Sequence, residues 1–272
     1  MSSLIQRLLT AAVLIPVVVW VVLYADAFAF VVVLSIIVFI AGYEWGGLSE
    51  INNSAKKLAF AMATLFVAYL LTKVDANIVY SLMHISLFFW LLFIAFIIGK
   101  PKCLLEVKVP QGLIILLGLL VVSLTFLSLQ QIRTNYQQGP ELLMYLLLLI
   151  WIADSGAYFA GRALGKNKLS PVISPGKSIE GVIGGLLTCL AFAIAGTVYF
   201  NVDNGVLFVV LSVFVAFVSV YGDLFESLMK RRAKVKDSGN ILPGHGGVLD
   251  RIDSLIAAGP VFLACLDLSD LF

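Results

Sequence analysis

Residues 206–253 read VLFVVLSVFVAFVSVYGDLFESLMKRRAKVKDSGNILPGHGGVLDRID. The run 206–222 contains no Asp, Glu, Lys, Arg or His, and a densely charged segment follows at once. A bilayer-spanning helix needs about 20 mainly apolar residues, so this run reads as a span that ends at a membrane surface. Beyond it, Asp223 and Glu226 stand three apart, as do Asp250 and Asp253. On helices each pair projects from one face. Four carboxylates flanking a basic, Gly-rich loop suit Mg²⁺, which takes oxygen ligands and usually shares them with substrate phosphates. Asp223, Glu226, Asp250 and Asp253 are therefore the candidate metal ligands.

The same solvent is written through the rest of the chain. With 61% hydrophobic residues, 12% charged residues and a mean hydropathy of +1.05, the 272 residues exclude an ordinary soluble core. Apolar runs at 8–24, 28–43, 58–72, 78–98, 113–129, 142–163, 179–200, 206–222 and 252–268 predict about nine transmembrane helices. The expected fold class is all-α, a polytopic integral membrane helical bundle. Residues 1–140 form its N-terminal transmembrane helices, and residues 141–272 a second region that carries the polar loops 162–178 and 230–251. The long segment 233–249 reads as a functional loop and not as a linker.

Charge orients the spans, because Lys and Arg gather in cytoplasmic loops. In a nine-span reading sixteen of the eighteen basic residues fall on one side, and only Lys73 and Arg133 on the other. That places the N-terminus and both polar loops in the cytoplasm, with anionic headgroups held near the same surface. A net charge of +2 gives no reason to invoke nucleic acid. Ala25-Asp26-Ala27 resembles a secretory cleavage site, but the preceding apolar run exceeds the usual h-region of about 7 to 15 residues, so retention is expected. Cys103, Cys189 and Cys265 are unclustered and suggest neither a disulfide framework nor a zinc site.

Several polar side chains interrupt this apolar background. Asp154, Tyr158 and Arg162 recur at spacings of four and form a polar stripe on one helix face. An acid at membrane depth points to function, although packing against a neighbouring helix through a hydrogen bond stays open for Asp154. Ser174-Pro-Gly-Lys177-Ser178 precedes an apolar helix with Glu180 in its first turn, combining backbone N–H groups, a positive dipole end and an ammonium. Phosphate binding and a plain Ser178 N-cap are both open there. Arg231, Arg232, Lys234 and Lys236 suit either a positive-inside anchor or a lipid phosphate. His245, Gly246 and Gly247 suit either phosphate approach or a tight turn. For Lys230 the bland reading is an intrahelical pair with Glu226, and His84 reads as a hydrogen-bonded packing residue.

Two ordered blocks now stand out. The downstream block is Ser227, Lys230 and Arg231, then KDSG at 236–239, then PGHGG at 243–247, then Asp250, Arg251 and Asp253. The upstream block is DSGAY at 154–158, Gly161 and Arg162, then SPGKSIEG at 174–181. Together they resemble the signature of the phosphatidate cytidylyltransferases, also called CDP-diacylglycerol synthases. The resemblance is specific over about residues 150–255 and general, apolar and helical, before that. At Gly176 many relatives are expected to carry a second basic residue, so the charge beside Lys177 is lower here.

The resemblance implies an enzyme of a bacterial inner membrane whose active site faces the cytoplasm, with CTP and phosphatidic acid as partners and one or two cations, at least one of them Mg²⁺, as cofactors. It implies that Asp223, Asp250, Asp253, Lys177, Lys230 and Arg231 are catalytic. Asp154, Tyr158, Ser174, Ser178, Glu180, Lys236, Asp237, His245, Gly246, Gly247 and Arg251 would contact substrate. Asp223 and Asp250 are expected to share a cation. A related CTP-using membrane enzyme acting on another lipid, or a cation-coupled transporter that uses Asp154, Asp223 and Glu226 as an ion path, are the alternatives. A homo-oligomer stays open.

Overall fold

The structure is a computed structural model that describes residues 3–242, 244 and 246–272, with side chains from residue 10 onward. In chain order its helices are α1 (Ser3–Leu23), α2 (Ala27–Leu48), α3 (Ser54–Leu71), α4 (Ala76–Gly99), α5 (Pro101–Glu106) and α6 (Gln111–Asn135). They continue as α7 (Gly139–Leu164), α8 (Ile179–Phe200), α9 (Gly205–Arg232), α10 (Leu249–Ile252) and α11 (Leu255–Ser269). Each predicted apolar run lies on a helix, the last one interrupted by a turn at Asp253 and Ser254. Among the described residues eight segments are long and apolar enough to cross a membrane, the last being Leu249–Ser269. The first run lies on α1, whose described side chains begin at Thr10. The chain is an all-α polytopic membrane protein.

Strands β1 (Lys168–Ser170) and β2 (Ser174–Ser178) pair antiparallel, with Lys168 opposite Ser178 and Ser170 opposite Ser174. The sequence reads this stretch only as a loop, since three- and five-residue strands carry no legible alternation. A second difference concerns α9, which continues through Arg232. Asp223, Glu226 and Lys230 therefore ride on the end of the spanning helix. Lys230, Arg231 and Arg232 fill its last turn, where the dipole favours cations.

Chain contacts divide the fold into two compact units. The first comprises Met1–Asp75, Lys108–Met144 and Met229–Asp253. Within it α2, α3 and α6 pack on one another. Trp45 of α2 is fully buried, and its indole N–H donates to the Ile114 carbonyl at 3.0 Å. Gly118 of α6 makes room for that indole, because a Cβ there would lie inside the ring. Ser123 donates to the Thr64 carbonyl at 3.1 Å. Arg133, also buried, donates to the Val22 carbonyl at 3.0 Å and to the Ala25 carbonyl, closing the carbonyl end of α1.

The second unit comprises Ala76–Val107, Tyr145–Leu228 and Ser254–Phe272. Tyr145 of α7 is buried among Phe192, Phe200, Phe208 and Phe262, and its hydroxyl donates to Ser212 Oγ at 2.7 Å. Phe225 of α9 meets Phe89, Trp90 and Phe93 of α4 edge to face. Small residues let α7 and α8 approach closely: a Cβ on Gly184 would strike Ala160, and one on Gly185 the Ala153 carbonyl. His84 of α4 pairs with Asp267 of α11 at 3.1 Å, so it packs through a polar contact.

Candidate active site

In the second unit, residues of the upstream block meet the end of α9. Ser178 caps α8 by accepting the Gly181 N–H at 3.1 Å. The Glu180 carboxylate accepts the backbone N–H groups of Lys166 and Asn167 at 3.1 Å, and the Asn167 side-chain amide at 2.7 Å. These bonds pin the β1–β2 hairpin to the first turn of α8. Lys177, in β2 just before the cap, is thereby aimed at α9. Its ammonium lies 2.7 Å from Asp223 Oδ2 and 3.4 Å from the Val220 carbonyl. Ser227 donates to the other Asp223 oxygen at 3.2 Å. Asp154, Tyr158, Arg162, Gly176, Lys177 and Ser178 line one cavity of about 440 Å³. Arg162 donates to the Tyr158 hydroxyl at 3.0 Å, so the polar stripe is internally joined.

This cavity combines an ammonium, a guanidinium and a carboxylate at the start of a helix. Such a set suits a phosphate with its counter-ion. Ser174 stands at the far end of β2, paired with Ser170.

In the first unit the downstream block folds around Asp250. The Asp250 carboxylate is 5% exposed, and Oδ1 takes the Lys230 ammonium at 2.6 Å. Oδ2 accepts the Ser238 N–H at 3.0 Å, the Ser238 hydroxyl at 2.9 Å and the Gly247 N–H at 2.7 Å. Spacing within one helix does not suggest Asp250 as a partner for Lys230. Gly244 and Gly246 have φ of 74° and 83°, the left-handed region that glycine enters without cost, and Leu242 bridges to Gly246. Arg231, Lys236, Asp237 and Arg251 are exposed around this loop, and Asp253 is half-buried in the turn between α10 and α11. His245 lies outside the described residues.

Glu44 of α2 is the side chain that motif reading misses. It is 4% exposed, and its carboxylate accepts N–H groups from Val248 and Leu249. The signal available in the sequence is a lone acid at the end of an apolar run.

No group of three or more His, Cys, Asp and Glu side chains comes together among the described residues. A protein-only cage is not what Mg²⁺ requires, since it ordinarily takes one or two carboxylates and substrate phosphates. Asp223 fits that role better, because it is 26% exposed and the contacts on its oxygens are the Lys177 ammonium and the Ser227 hydroxyl. Asp250 fits it poorly here. Its two oxygens are met by an ammonium and three uncharged donors, which a metal would have to displace. Glu226 is fully buried on α9.

Residues 5–269 match the model of the cytidylyltransferase family. The phosphatidate cytidylyltransferase of Haemophilus influenzae is 36% identical, with 94% of this chain and 96% of the relative covered. That of Pseudomonas aeruginosa is also 36% identical, with 96% of each chain covered. The Bacillus subtilis enzyme of the same name is 43% identical over 54% of this chain and 55% of its own.

Proposed function

The chain belongs to the cytidylyltransferase family, and from that premise we propose that it transfers the cytidylyl group of CTP to phosphatidic acid at a membrane surface. The products are CDP-diacylglycerol and pyrophosphate. One observation supports this reading above the others: Lys177 of the upstream block meets the candidate metal ligand Asp223 at 2.7 Å, beside the cavity that Asp154 and Arg162 line.

The chemistry asks for charge neutralisation and alignment more than for covalent help. A phosphate oxygen of the lipid attacks the α-phosphorus of CTP. The new oxygen–phosphorus bond forms as the bond to the β-phosphate bridging oxygen breaks, and pyrophosphate leaves. The attacking group is already an anion near neutral pH, so no general base is needed. Lys177 and Arg162 supply positive charge to the phosphates, and the start of α8 adds its dipole. When bound, Mg²⁺ would neutralise phosphate charge and act as a Lewis acid, and Asp223 would be the carboxylate that holds it.

The charge asymmetry of the loops supports a cytoplasmic N-terminus with the 230–251 loop on the same side, where CTP is available. Bacterial relatives support the inner membrane as the location. Purified protein incubated with labelled CTP and a panel of lipid phosphates tests the proposal. Pyrophosphate release that depends on phosphatidic acid is the expected result. Release with another lipid phosphate and none with phosphatidic acid would overturn the substrate assignment.

A further inference from the structure

Glu44 lies on α2, far in sequence from either motif block, yet residues of the signature loop close around it. Val248 N–H donates to Oε1 at 3.1 Å, Leu249 N–H to Oε2 at 2.7 Å, and the Ser238 hydroxyl lies 3.3 Å from Oε2. A carboxylate this buried is stable only when hydrogen-bond donors replace its water, and the two backbone N–H groups do so, one on each oxygen. The fit is steric as well as polar. A Cβ on Gly239 would run into the Glu44 carboxylate, and one on Gly247 into both that carboxylate and Ser238 Oγ. Glu44 thus fills the space that side chains would take at two glycines of the signature.

The same donors connect Glu44 to Asp250. Three successive N–H groups are divided between the two acids: Gly247 donates to Asp250, and Val248 and Leu249 donate to Glu44. The Ser238 hydroxyl stands between them, 2.9 Å from Asp250 Oδ2 and 3.3 Å from Glu44 Oε2. Moving Glu44 would therefore shift Ser238 and Gly247, which aim the Asp250 carboxylate at Lys230.

We infer that Glu44 is the positioning residue of the signature loop, an anchor on α2 that sets the orientation of Asp250 and Lys230 through Ser238 and Gly247. This rests on the cytidylyltransferase reading for its effect on turnover, although the hold on the loop does not depend on it. Glu44→Gln is the sharper variant, because it keeps the shape but turns an NH₂ donor toward N–H groups that need an acceptor.

Turnover and amide hydrogen exchange are measured on full-length protein in detergent for wild type, Glu44→Gln, Glu44→Ala, Gly239→Ala and the double variant Glu44→Ala plus Gly239→Ala. A small displacement of a reacting constellation costs on the order of a hundredfold in rate, so kcat of the Glu44 variants is expected to fall by about tenfold to a hundredfold. Exchange should quicken at Val248 and Leu249 while α2, α3 and α6 keep their protection. Gly239→Ala should be damaging alone and add little once Glu44 is Ala, since the clash is then gone. If Glu44→Ala does not fold, Glu44→Gln carries both readouts.

A folded Glu44→Gln protein with wild-type kcat and wild-type exchange at Val248 and Leu249 overturns the inference. So does faster exchange spread evenly over the first unit, which would make Glu44 a general stabiliser. Wild-type protein with no activity on CTP and phosphatidic acid would sink the functional reading alone. The exchange pattern would still decide what Glu44 holds.

Discussion

Lys177 and Asp223 are each about one-quarter exposed, so their contact escapes part of the screening that makes open surface pairs nearly worthless. If that ammonium meets a phosphate of CTP, it replaces water with a charge-assisted bond of about 1.5–3 kcal/mol. Each 1.36 kcal/mol is tenfold in rate, so Lys177→Ala is expected to lower kcat/KM for CTP by roughly ten- to a hundredfold. Gel filtration should show the variant folded like wild type. Lys177→Arg should restore little, because a planar fork does not reproduce a point charge. Asp223→Asn keeps the shape and removes one negative charge. Activity followed across a Mg²⁺ titration should then show a higher Mg²⁺ requirement, and an unchanged titration curve would remove Asp223 from the metal site.

At the level of helices, close approach is governed by which glycine faces which ring. Gly118 faces the buried Trp45 indole, whereas nothing lies within 4 Å of a Cβ built on Gly99. Overpacking a filled core costs about 1–3 kcal/mol, so Gly118→Ala should lower the detergent melting temperature. Gly99→Ala should not lower it, and the pair serves as its own control. At the hairpin end of α8, Ser178→Ala removes the cap on the Gly181 N–H, a loss of about 1 kcal/mol. Because Lys177 is the residue just before that cap, the same variant should also weaken CTP binding, read as a raised KM.

For the whole molecule the decisive question is on which side each loop lies. Segment Leu249–Ser269 is 21 residues long and apolar enough to span. At 1.5 Å per residue it reaches about 32 Å, close to the hydrocarbon thickness. Single cysteines placed near Lys236 and near Asp270, in a background lacking Cys103, Cys189 and Cys265, are therefore expected to react with impermeant reagent from opposite sides. Labelling of both from one side would make Leu249–Ser269 a re-entrant segment.

By itself the sequence determined the solvent, the places of the helices and the family. Apolar content over about 20 residues and an ordered set of charged and glycine residues are properties of the chain read along its length. Side-chain partners are not. The i, i+4 spacing offers Lys230 only Glu226, and leaves Asp223 with no cationic partner in view. The tertiary structure set Lys230 on Asp250, Lys177 on Asp223, and Glu44 under the loop that carries the signature. These pairs join residues on different elements, and the packing of helices, hairpin and loop brings them within hydrogen-bond range. The burial of Glu44 follows from the same cause, since an acid at the end of an apolar run looks like a surface residue until a loop folds over it.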